Sequence, residues 1–413
     1  MTPSFPTRIS YAQACAILDA AAARKRLPVE RRPLARAHGH VLAEDVRATL
    51  PQPPFDNSAM DGFAFRHDDL AQARDAGLAL AGEQFAGEQA PLDVAAGTCI
   101  RITTGAPLPP AADTVVMKED TELLQDADGT TRVRLRVDLP RGRHVRSAGE
   151  DSKAGDLLVA AGQPLTASRL ALCASQGLAE VAVRRRPTVA VFTTGDELVE
   201  PGQALAPGQI YNSNRVQLMA SLRDAGLEPT AWPTLPDDPA QVYSALLHAG
   251  HAFDLVITCG GVSAGEKDHL PALLQEKAEI LFWKARLKPG MPVLLAEGGQ
   301  LGDALFLCLP GNPVSVLATW LALGRRLAEG LQGAAEPPRR FARLASDWDK
   351  RHERLEFLRG RLRWRDDGTL EVEPNPADGS HRMRAAADSD ALVVLDEGAR
   401  PYPAGTAVEV ILY

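Results

Sequence analysis

No stretch of this chain approaches the ~18 continuous apolar residues of a membrane-spanning helix. The amino terminus, Met1 to Ser10, has no apolar signal core. The five cysteines, Cys15, Cys99, Cys173, Cys259 and Cys308, are odd in number and contain no Cys-x-x-Cys pair. They exclude a disulfide framework and read as small buried thiols in a reducing compartment. A cytoplasmic protein without a membrane role is expected. Basic residues are outnumbered, 45 Lys and Arg against 53 Asp and Glu, giving a net charge of −8. That balance excludes non-specific nucleic-acid binding as the main role. An anionic ligand would have to be met by local basic groups, backbone N–H groups or a metal ion. No Ser-His-Asp or Cys-His arrangement speaks for nucleophilic catalysis, and there is no internal repeat or low-complexity tract.

What is present is ordinary for a soluble protein, with 45% hydrophobic and 24% charged residues. At about 150 residues per domain, 413 residues allow roughly three domains. Residues 10 to 50 read as helical, with Ser10 as N-cap. Pro51-Gln52-Pro53-Pro54 breaks that pattern, and residues 51 to 140 read as short strands and turns, such as 98–103, 114–118 and 133–137. Residues 141 to 186 connect, with a helix over 167–176 and a basic run, Arg184-Arg185-Arg186, taken as a solvated boundary. From 188 to about 333 strands and helices alternate, including a helix capped by Asn214 and another opening at Pro239. That alternation predicts a mostly parallel sheet with helices on both faces. After Pro337-Pro338, the turn Asp366-Asp367-Gly368 between two alternating runs signals a hairpin in a small β domain. The fold class is therefore multidomain α/β plus β.

Three turns carry most of the chemical information. Thr193-Thr194-Gly195-Asp196-Glu197, Gly260-Gly261-Val262-Ser263-Ala264-Gly265 and Leu309-Pro310-Gly311-Asn312-Pro313 each follow an apolar run suited to a buried strand. Loops at the carboxyl ends of strands in an open α/β sheet line one crevice, so the three are expected to build one site. The glycine loop is neither a P-loop nor a dinucleotide fingerprint; a tight turn without a ligand is its plain alternative, as a helix start with Pro313 at its first turn is for the third loop. Glu266, Lys267 and Asp268 follow the glycines, and Asp196-Glu197 and Asp237-Asp238 repeat the acidic excess. Carboxylates at a helix start favour its dipole. Together with ligand phosphate they would also suit Mg²⁺ held by two or so carboxylates. Lys284, Arg286 and Lys288 alternate with apolar residues, so on a regular strand all three would face the same way.

Read together, Phe55-Asp56-Asn57-Ser58-Ala59-Met60-Asp61-Gly62, Arg101-Ile102-Thr103-Thr104-Gly105-Ala106-Pro107, Gly149-Glu150-Asp151, the three turns, Lys288-Pro289-Gly290 and Gly379-Ser380-His381 follow one another along the chain. In this, essentially the whole sequence resembles the MoeA family, the molybdopterin molybdenumtransferases, to which the carboxyl-terminal part of gephyrin is related. Thr103 stands where that pattern often has Met.

The resemblance implies an elongated four-part subunit. Residues 1–50 with 141–186 would link; 51–140 would be an inserted β-rich domain; 187–333 would be the MogA-like α/β domain that binds molybdopterin; and 334–413 would be a small β-barrel. It implies a homodimer with the active cleft between subunits. It implies hydrolysis of adenylylated molybdopterin with Mg²⁺, insertion of molybdenum from molybdate, and release of AMP and molybdenum cofactor. A molybdopterin adenylyltransferase and downstream molybdoenzymes or their chaperones would be partners. By motif, Asp61, Thr104, Asp151, Glu197, Asp237 and Asp268 are the catalytic candidates, with Glu197, Asp237 and Asp268 the candidate Mg²⁺ ligands. Gly260, Gly261, Ser263, Gly265, Lys284, Lys288, Pro310, Pro313, Arg359 and Ser380 are the binding candidates. An ATP-consuming adenylyltransferase, a tungstate-handling paralogue and a catalytically dead scaffold are the alternatives.

Overall fold

The computed structural model describes residues 5–87, 92–263 and 268–413. The chain divides into two compact units, each described on its own. The first comprises Met1–Glu44, Ala161–Ala167 and Glu180–Tyr413; the second comprises Asp45–Ala160 and Ser168–Ala179.

The alternation after residue 188 becomes a seven-stranded sheet. Its order is Thr7–Ile9, Glu279–Ala285, Leu294–Glu297, Leu305–Leu309, Leu255–Cys259, Val189–Thr193 and Pro229–Ala231. Only Leu294–Glu297 runs against its neighbours; the other pairings are parallel. The three central strands are buried throughout, as their unbroken apolar runs require when both faces are covered. Val189 and Val191 point into one core with the helices Tyr11–Arg24, Ser213–Asp224 and Arg325–Leu331. Ala190 and Phe192 point into the other, with Pro239–Ala252 and Leu270–Lys277.

Local signals explain the helix ends and correct two expectations. Ser10 Oγ accepts from the Gln13 N–H at 3.2 Å, and Gln13 Oε1 accepts from the Ser10 N–H at 2.9 Å, a reciprocal cap. That helix stops at Arg24 rather than continuing towards residue 50. Pro28 and Pro33 have no N–H to give a helix, and Val29–Pro33 instead pairs antiparallel with Glu180–Arg184. The helix of residues 213–224 is capped by Asn212, which accepts from the Arg215 N–H, and not by Asn214. Nor is the basic run simply solvated. Arg185 makes a two-pronged pair with Asp254 at 2.7 and 2.8 Å, and Asp254 also accepts from Thr188.

The carboxyl-terminal strands close into a five-stranded barrel in the order Leu355–Trp364, Leu370–Pro374, Arg340–Leu344, Ala407–Leu412 and Ala391–Leu395, which returns to Leu355–Trp364. Closure removes the exposed edges that such short strands would otherwise leave. The hairpin signalled by Asp366-Asp367-Gly368 joins the first two strands.

The second unit is built on a six-stranded sheet ordered Thr114–Met117, Gly62–Phe65, Thr98–Ile102, Leu78–Gln84, Thr131–Leu135 and Thr121–Gln125. Phe63 and Phe65 pack on one face and Ala64 on the other, the period-two pattern of a strand covered on both sides. The strand read at 133–137 lies at 131–135, and a short helix, Leu70–Asp75, interrupts the β pattern.

Candidate active site at the carboxyl edge of the sheet

Register brings the three turns together. Val189, Leu255 and Leu305 lie in one row across the central strands, and Thr193, Cys259 and Leu309 end in another. The loops that follow therefore leave the sheet side by side. The Thr194 N–H donates to the Cys259 carbonyl and the Gly260 N–H to the Leu309 carbonyl, both at 3.1 Å. These loops border a cavity of about 750 Å³ that contains Gly195, Glu197, Asp237, Gly260, Gly261, Ser263, Asp268, Pro310 and Pro313 in its wall. That volume lies in the usual range for small-molecule sites, roughly 300–1,000 Å³. Gly265, with Glu266 and Lys267, lies outside the described residues.

The glycines are required by backbone shape. Gly260 and Gly261 have φ of +95° and +65°, and a Cβ on Gly260 would stand 2.6 Å from Thr194 Oγ1. At Gly195, φ is +133° and the Glu197 carboxylate curls back until a Cβ would meet it at 2.6 Å. The Gly260 N–H, held by Leu309, is engaged within the sheet, so anion recognition at this loop cannot rest on it.

The carboxylates divide by role. Asp238 is the N-cap of the Pro239–Ala252 helix and accepts from the Ala240 and Gln241 N–H groups, whose bonds lower its pKa. Asp237 faces the cavity, and its N–H donates to Asp196 at 3.3 Å. Glu197, Asp237 and Asp268 share the cavity wall. Even so, among the described residues no three His, Cys, Asp or Glu side chains gather closely enough to hold a metal ion.

The basic residues depart most from expectation. Lys284, Arg286 and Lys288 do not share one face. Lys284 takes φ of +72°, which breaks the alternation, and its ammonium lies over the Trp283 ring at 4.3 Å. Arg286 pairs with Glu397 at 2.9 Å. Lys288 sits between Glu356 at 2.8 Å and Asp378 at 3.0 Å. Arg359 is buried, and its guanidinium donates to the carbonyls of Ala377 and Asp378. The Ser380 carbonyl accepts from the Val314 N–H at 3.2 Å, joining the barrel region to the third loop.

Cavity-lining residues that sequence reasoning passed over are Asn212, Asn214, His381 and Met383. Asn214 Nδ2 donates to the Gly311 carbonyl at 2.7 Å, and Asn212 Nδ2 to Thr193 Oγ1 at 2.9 Å. Both asparagines fix the loops from below. The Gly379-Ser380-His381 motif was the available signal for His381.

In the second unit, Asp61 and Thr104 are brought together. Asp61 Oδ1 accepts from the Thr104 N–H at 2.8 Å and from its hydroxyl at 2.9 Å. Those two bonds hold the exposed carboxyl below its ordinary pKa. Asp151 is exposed in the Gly149–Asp151 turn, its N–H donating to the Gln52 carbonyl at 2.9 Å.

Comparison with known proteins places the chain in one family. Residues 9–177 match the family model of the MoeA N-terminal region (domains I and II), 190–329 that of a probable molybdopterin-binding domain, and 342–413 that of the MoeA C-terminal region (domain IV). A molybdopterin molybdenumtransferase of Haemophilus influenzae is 38% identical over 381 residues, covering 91% of this chain and 92% of the relative. Molybdopterin molybdenumtransferase 2 of Mycobacterium tuberculosis is also 38% identical, over 92% of this chain and 93% of its own. The crystal structure of a molybdopterin biosynthesis moeA protein from Pyrococcus horikoshii OT3 superposes with a TM-score of 0.78 at 27% identity, covering 98% of this chain and all of the other.

Proposed function

The chain belongs to the MoeA family, the molybdopterin molybdenumtransferases, and from that premise we propose that it inserts molybdenum from molybdate into adenylylated molybdopterin, releasing AMP and molybdenum cofactor. The observation that carries this reading is the convergence of the three turns on one cavity of about 750 Å³, with three carboxylates in its wall. Water adds to the pyrophosphate link, AMP leaves, and Glu197, Asp237 and Asp268 accept hydrogen bonds that orient the water and the ligand. Mg²⁺ enters the reading as an ion carried in on the ligand's phosphates. Lys288, Arg359 and Ser380 receive the molybdate oxyanion, Lys288 as a point charge and Arg359 as a planar donor.

The protein acts in the cytoplasm as a homodimer, with Asp61, Thr104 and Asp151 of one subunit completing the cleft of the other. It receives its substrate from a molybdopterin adenylyltransferase and passes its product to molybdoenzymes or their chaperones. Among the described residues, no helix is long and apolar enough to cross a membrane.

The test is incubation of the purified protein with adenylylated molybdopterin, Mg²⁺ and molybdate, following AMP and reconstitution of an apo-molybdoenzyme. Both signals should depend on molybdate; their absence from a folded protein, with molybdate or tungstate, overturns the reading. Glu197→Ala and Asp268→Ala should each abolish transfer without altering the circular dichroism spectrum. Mixing inactive Asp61→Ala and Glu197→Ala proteins should restore activity if the cleft is shared between subunits. Failure to complement would place both residues in a single-chain site.

A further inference from the structure

Lys288 is held by two carboxylates of unlike character. Glu356 stands opposite it in the parallel pairing of Leu287–Lys288 with Leu355–Trp364, is only 2% exposed, and also has His352 Nε2 at 3.2 Å. Asp378 sits on the loop after Leu370–Pro374, with half of its side chain exposed. The same loop offers its Ala377 and Asp378 carbonyls to Arg359, which is 1% exposed and whose Nε is buried without a hydrogen-bond partner. Lys288 and Arg359 are matched by Glu356 and Asp378, with the Arg354 guanidinium donating to the Leu287 carbonyl beside them. A further anion therefore meets its weakest attraction while Asp378 stays in place.

Resting on the function proposed above, we infer that Asp378 is an internal competitor: its carboxylate occupies the seat on Lys288 that a tetrahedral oxyanion takes, and the oxyanion must displace it. Glu356 is the permanent partner, because removing a buried carboxylate from its cation is costly. Asp378 is the exchangeable one, because a solvent-exposed ion pair contributes little. Its departure adds one positive charge beside Arg359, whose guanidinium holds the carbonyls of the same loop. The seat thus gains a unit of positive charge only when Asp378 has moved. This arrangement disfavours casual occupation by weakly bound anions.

The experiment is isothermal titration of the full chain with molybdate and, separately, with sulfate. Wild type is compared with Asp378→Asn, Asp378→Ser and Lys288→Ala. Both Asp378 variants should bind molybdate about fivefold more tightly, the upper end of what releasing an exposed ion pair supplies. They should also gain for sulfate, and Lys288→Ala should remove the gain when combined with either. Unchanged or weaker molybdate binding by the Asp378 variants, where wild type binds and Lys288→Ala does not, overturns the competitor while leaving the oxyanion seat. No binding by any form, at any accessible concentration, overturns the seat and the competitor together.

Discussion

At the carboxyl edge of the seven-stranded sheet the chain presents main chain: glycines at positive φ, a buried proline, and loops pinned to one another by N–H to carbonyl bonds. Around Lys288 it presents charged side chains already paired among themselves. The first region is shaped by backbone geometry, which needs no ligand to hold it. The second is shaped by charge, and charges left without a ligand find each other. On the function proposed above, a site assembled from both would have a fixed wall and an adjustable one.

Three substitutions would break or sharpen that contrast. The largest effect is expected from Glu356→Gln, which leaves a partly buried ammonium short of its permanent counter-charge. It should cost about 2 kcal/mol in chemical denaturation, below the full value of a buried pair because Lys288 keeps Asp378 and some solvent. Gly260→Ala comes next. A left-handed conformation costs a residue with Cβ about 1–2 kcal/mol, and the new methyl would press on Thr194 Oγ1. Its signature should be lost ligand affinity with a modest fall in melting temperature; unaltered affinity would show that the fixed wall is not needed.

The smallest effect is the acid limb of Asp378. The hydrogen bond from Lys288 lowers its carboxyl below the ordinary 3.8, against a smaller opposing effect of burial. A depressed carboxylate contributes stability above its unfolded pKa and loses it as pH falls through the folded one. Asp378→Asn should therefore lower stability slightly at neutral pH and flatten the acid limb, so that the two proteins converge well below about pH 4. An equal slope in both proteins would mean that the pair contributes nothing.

The fixed wall was largely legible in the sequence, and the adjustable one was not. Glycine and proline after an apolar run announce a strand end and a forced turn, and parallel register does the rest by aligning Thr193, Cys259 and Leu309. Lys284, Arg286 and Lys288 misled because alternation assumes a regular strand, whereas Lys284 adopts φ of +72°. The partners of Arg286 and Lys288, namely Glu397, Glu356 and Asp378, lie up to 111 residues away in sequence, and no local pattern reports them. Asn212 was missed in favour of Asn214 by two positions, a difference that depends on which side chain reaches the Arg215 N–H. The acidic residues were found by their recurrence, but recurrence did not disclose that Asp238 is a helix cap.

The one reversed strand of the sheet has a consequence for how this protein can vary. Because Leu294–Glu297 runs back antiparallel beside Glu279–Ala285, the connection that carries Lys288 and Pro292 starts and finishes at the ligand-bearing edge. A hairpin tip can be lengthened, shortened or rewritten at the modest entropic cost of loop closure, which grows only slowly with length. A crossover helix would have to be repacked against the sheet instead. The base of this tip is anchored, because Leu287 and Val293 are buried and Leu287–Lys288 pairs with the barrel strand; Met291 and Pro292 are half-buried, with Pro292 in the cavity wall, so a library confined to those two positions is the place to seek altered ligand preference without disturbing the scaffold.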